Sequence, residues 1–187
     1  MGCQQEKTTV HQLENYPVGA QIEAYNEIPG MVKVTFTDPK DPNVVLAEGD
    51  YKDGQKHGVW IEYDPERQIP SLIQTYYEGQ LQGVEIKLEN GTVKEKTYFH
   101  LGEKNGQALV YSTTRRVQEV KSFKYGVLNG VVKKYYMQGE LMEEAPYVNG
   151  KIDGLAKWYD QEGNLKFQYL YENGELVDDN PPVEEKN

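Results

Sequence analysis

The chain has 187 residues, 37% of them hydrophobic, and carries 20 Lys and Arg against 30 Asp and Glu, a net charge of −10. A surface this acidic repels phosphate backbones and anionic headgroups, which argues against nucleic acid and against direct electrostatic docking on a membrane. No apolar stretch approaches the roughly 18 residues of a membrane-spanning helix, and the lone cysteine, Cys3, rules out a disulfide framework and a thiolate zinc site.

Residues 1–12 are polar, lack a periodic apolar pattern and read as a flexible tether. Met1-Gly2-Cys3-Gln4-Gln5 resembles the processed start of a bacterial lipoprotein, in which a small residue precedes the lipidated cysteine. That resemblance implies a lipid on Cys3, a place on the bacterial cell envelope and a Met1 added or retained where a signal peptide was left off. Two rivals stay open: a cytoplasmic protein with an unmodified surface thiol, and myristoylation at Gly2, which fits poorly because Glu6 stands where Ser or Thr is wanted.

Residues 13–50 form an irregular lead-in. Within it Met31-Val32-Lys33-Val34-Thr35-Phe36 alternates as a strand should, Asp38-Pro39-Lys40-Asp41-Pro42-Asn43 is a dense turn signal, and Asn43 to Leu46 reads as a short second strand. The resulting hairpin looks like a degenerate unit capping the array that follows, and Leu13 to Ile28 could cover part of one face. Residues 51–177 are that array, and residues 178–187, with Pro181-Pro182 and mixed charge, read as a disordered tail.

The array is a repeat. Aromatic anchors at Tyr51, Tyr76, Phe99, Phe123, Tyr147 and Tyr171 are spaced by 25, 23, 24, 24 and 24 residues. Three residues after each comes a glycine (Gly54, Gly79, Gly102, Gly126, Gly150 and Gly174), and in the first five units a second follows four residues later (Gly58, Gly83, Gly106, Gly130 and Gly154). Five residues further stands a large side chain: Tyr63, Leu88, Tyr111, Tyr135 and Tyr159. A fixed period of this length marks units that bury their apolar side only against neighbours.

After each second glycine the chain alternates with period two, as in Val84-Glu85-Ile86-Lys87-Leu88, and turn signals follow at Asn90-Gly91, Gln138-Gly139 and Glu162-Gly163. Each unit is therefore a β-hairpin. The fold class is all-β, an elongated antiparallel meander forming a single twisted open sheet. Both glycines, with the polar His57, Gln82, Asn105, Asn129 and Asp153 before the second, read as the crossing between hairpins, so all eleven are structural turn glycines that also let an anchor ring lie flat over backbone. Pro70, in the 25-residue unit, points to a bulge or irregular strand. Gly106→Val or Gly130→Val should cost on the order of 1–3 kcal/mol if these glycines hold positive φ.

No catalytic or metal motif is written in the chain, no cofactor is called for and a non-enzyme is expected, with acid–base chemistry by paired carboxylates left open because spatial pairing does not show in sequence. His11, His57 and His100 lack ligand spacing, and Ser71, Ser112 and Ser122 have no nucleophile elbow. The aromatic lattice is the candidate contact surface. Tyr63, Tyr111, Tyr135 and Tyr159 share a strand position and should form a ladder, while Trp60 and Trp158 should face the other way. The two tryptophans are the expected hot spots of a protein partner if exposed, and core residues if enclosed.

Asp53-Gly54-Gln55-Lys56-His57-Gly58-Val59-Trp60 resembles the core of the MORN repeat in its shorter bacterial variant, proteins of which are described as YwqK-type antitoxins. Tyr147-Val148-Asn149-Gly150-Lys151-Ile152-Asp153-Gly154 and Tyr171-Glu172-Asn173-Gly174 fit the same pattern, and the likeness spans residues 51–174. It departs at Leu88, Leu101 and Thr113-Thr114. The resemblance implies a single antiparallel sheet with a groove, used as a scaffold or binding surface. Three functions are open: a protein-binding module on a lipidated envelope protein, a cytoplasmic antitoxin or immunity-type neutraliser of a basic toxin, and a carbohydrate-binding surface.

Overall fold

The computed structural model describes residues 19–179; Cys3, His11 and the last residues of the tail lie outside them. Two compact units divide between Leu81 and Gln82. The first holds β1 (Gln21–Ala24), β2 (Met31–Thr37), β3 (Val45–Lys52), β4 (Gln55–Tyr63) and β5 (Pro70–Tyr77). β6 (Gln80–Glu89) begins at its end. The second continues with β7 (Thr92–His100), β8 (Glu103–Tyr111), β9 (Val117–Lys124), β10 (Val127–Leu128), β11 (Gly130–Tyr135), β12 (Leu141–Val148), β13 (Lys151–Ile152), β14 (Gly154–Tyr159), β15 (Leu165–Glu172) and β16 (Glu175–Asp178). Strand order follows sequence order, pairing is antiparallel and the meander is not closed. Among the described residues there is no helix. The fold is an all-β meander of hairpins.

The lead-in is more regular than its composition suggests. β1 adds to β2, with Gln21 opposite Thr35 and Ala24 opposite Val32. β3 starts at Val45 and runs on through the anchor Tyr51, so the expected short strand from Asn43 is the head of a full repeat strand. The β2–β3 hairpin carries the same one-residue bulge as the later units, with Phe36 opposite Ala47 and Thr37 opposite Val45. It is a repeat unit with Thr37 where later units place Tyr63 or Tyr111.

Two kinds of connection alternate. At the first glycine of each pair the link is a two-residue turn, with Lys52 opposite Gln55 and Lys151 opposite Val148. Both central residues have φ above zero: 50° and 82° at Asp53-Gly54, 51° and 82° at Asn149-Gly150. That is the type I′ turn, whose twist matches the strands it joins. Successive turns are tied together, since the Gly126 amide donates to the Lys104 carbonyl and the Gly150 amide to that of Leu128, both at 2.8 Å. Leu101 and Tyr125 occupy the first turn position at φ 50° and 49°, where Asn or Asp sits easily and a large side chain does not. Leu101 is 62% exposed and gains little packing there. Leu101→Asn is therefore expected to stabilise the protein by about 0.5–1 kcal/mol, read as a higher denaturation midpoint.

The opposite ends of the hairpins are closed by longer loops except between β6 and β7, where Glu89 faces Thr92 across the expected two-residue Asn90-Gly91 turn, with φ 52° and 73°. Tyr136 donates to the Glu140 carbonyl at 2.8 Å and Asp160 to that of Asn164 at 2.9 Å, each around a left-handed glycine, Gly139 and Gly163. The loop from Asp64 to Ile69 holds one residue more, and this accounts for the 25-residue spacing. The irregularity expected of Pro70 is thus a loop insertion. The bulge beside it, between Glu62 and Tyr63, recurs at Lys87/Leu88, Val110/Tyr111, Lys134/Tyr135 and Trp158/Tyr159 and owes nothing to proline.

The second glycine is not in the crossing. β4, β6 and β8 start before it, and the glycine sits where the ladder slips. Asp50 faces His57 and Gly49 faces Trp60, leaving Gly58 and Val59 as extra residues. Phe99 faces Lys104 and Thr97 faces Ala108 in the same way. A slip of two residues keeps inward side chains inward. The polar residue before the glycine serves the next turn instead: the Leu101 amide donates to Gln82 Oε1 at 2.9 Å, and those of Tyr125 and Asn173 to Asn105 Oδ1 and Asp153 Oδ2 at 3.4 Å.

The first unit's core is Val32, Val34, Tyr51 and Trp60, with Ala20, Ile22, Ala24 and Phe36 packed against it. Gly49 has ordinary φ but no room for a side chain, because a Cβ there would lie 2.3 Å from Trp60 Cε3. It is this glycine, outside the repeated pair, that lets a ring lie flat over backbone. The second unit buries a strip of small residues, Thr97, Ala108, Val132, Ala145 and Ala156. Beside it run the ion pairs Lys87–Glu95, Lys121–Glu119 and Lys134–Glu143, at 3.1, 2.6 and 2.9 Å.

Candidate functional site

Alternation along each strand gives every unit two faces. One carries the anchor rings and the small-residue core; the other carries the tyrosines five residues past the second glycine. In the first unit Tyr63 is half-buried, and its hydroxyl donates to Glu48 Oε1 at 2.6 Å, while Lys33 pairs with the same carboxylate at 2.7 Å. In the second unit Tyr111, Tyr135 and Tyr159 are half-buried on successive hairpins. Tyr159 repeats the arrangement by donating to Glu144 Oε1 at 2.9 Å. Tyr136 ties the loop side down, donating to the Tyr159 carbonyl at 2.7 Å.

The two carboxylate-bound phenols are held neutral. Burial first, then the hydrogen bond to the carboxylate and its charge, push Tyr63 and Tyr159 up to about 12. The hydrogen bonds from Lys33 and Tyr63 hold Glu48 below its ordinary value. Because the folded phenols have raised pKa values, their contribution to stability is whole below pH ~10, the unfolded value. It is lost as pH rises toward about 12. The hydrogen bond to Asp50 raises Tyr25, and burial raises Tyr51 as well. An ultraviolet titration should therefore show a late-ionising group of phenols with Tyr63 and Tyr159 near the top of it, and Tyr63→Phe should remove one of that pair. A titration in which every tyrosine ionises with the unfolded value would contradict this geometry.

The two tryptophans part company. Trp60 is 3% exposed, with Phe36 and Tyr51 edge-on at 6.2 and 5.8 Å and Lys56 Nζ 4.1 Å from its ring centre. It faces away from Tyr63 as alternation requires, but enclosed in this way it offers no contact surface. Trp158 is half-buried against Tyr169 at 5.4 Å, opposite Phe167, which is 59% exposed. Gly49, Glu48 and Glu144 carry roles that residue type alone did not signal. A signal did exist, since Glu48–Tyr63 and Glu144–Tyr159 share a separation of 15 residues. All eleven repeat glycines have φ above zero, although only the first of each pair is in a turn.

No group of three or more His, Asp and Glu gathers in a metal-holding arrangement among the described residues. His57 Nδ1 is buried without a hydrogen-bond partner beside the Tyr77 ring, and His100 Nδ1 accepts from Gln82 Nε2 at 3.0 Å. No curated protein matches the chain. Residues 128–149 and 152–176 match the MORN repeat variant, a non-catalytic repeat module, and the two matched segments are successive hairpins of the second unit. The match supports a MORN-repeat family for the chain.

Proposed function

We propose that the protein is a binding module for another protein, with the tyrosine face of the second unit as its contact surface and a lipid on Cys3 holding it at the bacterial envelope. One observation carries the reading. Tyr111, Tyr135 and Tyr159 lie half-buried at one strand position on successive hairpins, and every element of the unit among the described residues is a strand. Tyrosines on a stiff sheet present large amphipathic area at small entropic cost, the composition that protein interfaces favour. Affinity spread over equivalent rings suits a repeat better than a single deep pocket.

The net charge of −10 fits a basic partner surface, which also accommodates an antitoxin-type neutraliser. A Tyr135→Ala, Tyr159→Ala variant should lose a captured partner at least about tenfold while keeping its strand spectrum, and Val59→Ala on the first unit should leave capture unchanged. Retained capture by the folded double variant would remove the tyrosine face from consideration, and a glycan ligand in place of a protein would replace this reading.

A further inference from the structure

The tyrosine face of the second unit is not even. A concavity of about 550 Å³ opens there, floored by Ile86 and Val93, walled by the Tyr111 ring and edged by Thr92, Lys96 and Arg115. No carboxylate lines it. None of the ion pairs among the described residues includes Lys96 or Arg115, although the chain has ten more acidic than basic residues. The Lys96 ammonium lies 5.1 Å from the Tyr98 ring centre, and the side chains acting on it are those of Tyr98 and Tyr111.

Arg115 is the second irregularity. Its loop is closed like its two successors, with the Ser112 amide donating to the Arg116 carbonyl at 2.8 Å, but the left-handed position filled there by Gly139 and Gly163 is held by Arg115 at φ 64°. Placing a long cationic residue at that φ costs stability that glycine would not. Gln68 holds the corresponding position of the Asp64–Ile69 loop at φ 53°, so what sets Arg115 apart is its place at the edge of the concavity.

We propose that this concavity is a recognition site for a single carboxylate side chain of an otherwise basic partner surface, with Lys96 and Arg115 receiving that Asp or Glu and Ile86, Val93 and the Tyr111 ring receiving an adjacent apolar side chain. The guanidinium fork matches a carboxylate bidentately. An apolar floor suits an anion carried on an apolar body, and the field of a chain with net charge −10 penalises a doubly charged phosphate more than a single carboxylate. The site rests on the protein-binding reading and adds to it a sequence preference that equivalent tyrosines alone do not supply.

The test is an NMR titration of the isotope-labelled full chain with acetyl-Phe-Glu-amide, with acetyl-Phe-Gln-amide and with inorganic phosphate. The proposal expects saturable shifts at Thr92, Lys96, Tyr111 and Arg115 with the glutamate peptide, and binding at least about tenfold weaker with the glutamine peptide. Lys96→Gln should weaken binding. Arg115→Gly should abolish it while melting at or above the parent temperature, so that lost binding cannot be laid to lost folding. Equal binding of the two peptides, shifts centred elsewhere or no shifts at all would overturn the proposal. Tighter binding of phosphate at these residues would overturn the carboxylate assignment. If the site fails while Tyr135→Ala, Tyr159→Ala still loses its partner, the protein-binding reading stands without it.

Discussion

Trp60→Ala is expected to cost about 3–5 kcal/mol, the range for truncating a fully buried indole. The ring fills the first unit's core between Phe36, Tyr51 and Gly49, and neither an edge-on aromatic nor a glycine backbone can collapse into the space it leaves. Loss of the ring also strips cover from Lys56, whose ammonium lies over it and whose pKa burial already lowers. Trp158→Ala should cost less, because that ring is half-buried and leans on Tyr169 alone among the described aromatic side chains. Denaturant midpoints measure both. A Trp60→Ala protein melting like its parent would contradict the core assignment and return Trp60 to the candidate contact residues.

Gly130→Val should cost about 3 kcal/mol, from two separable sources. The residue holds φ 115°, which a β-branched side chain reaches only with strain, and a Cβ there would stand 2.9 Å from the Ser122 Cβ. Gly106 has φ 103° but a nearest contact of 3.4 Å, to the Tyr98 Cβ, so Gly106→Val should cost less, about 1–2 kcal/mol. Ser122→Gly in the Gly130→Val background should recover the steric part and leave the conformational part. Equal losses at the two glycines would mean that φ alone sets the cost.

The repeat was legible because its period shows in glycines and rings, residue types with few substitutes where φ is positive or a core must be filled. Strand alternation separated Tyr63 from Trp60 correctly. Spacing could not separate a turn glycine from a bulge glycine: Gly54 and Gly58 both need positive φ, and only the pairing of Asp50 with His57 tells them apart. β1 was hidden because Gln21-Ile22-Glu23-Ala24 carries one large apolar residue and draws its place from β2. Burial at Trp60 was hidden for a different reason. It depends on Gly49, eleven positions upstream on another strand, and no local pattern contains that contact.

Hydroxyl-radical footprinting of the full chain, free and bound to its captured partner, reads individual side chains and so distinguishes the tyrosine face from the opposite one. Protection is expected at Tyr111, Tyr135 and Tyr159, with Trp158, Phe167 and Tyr169 on the opposite face oxidised at their free rates. Protection of the Trp158–Phe167 face with unchanged oxidation of the tyrosines would contradict the proposed contact surface.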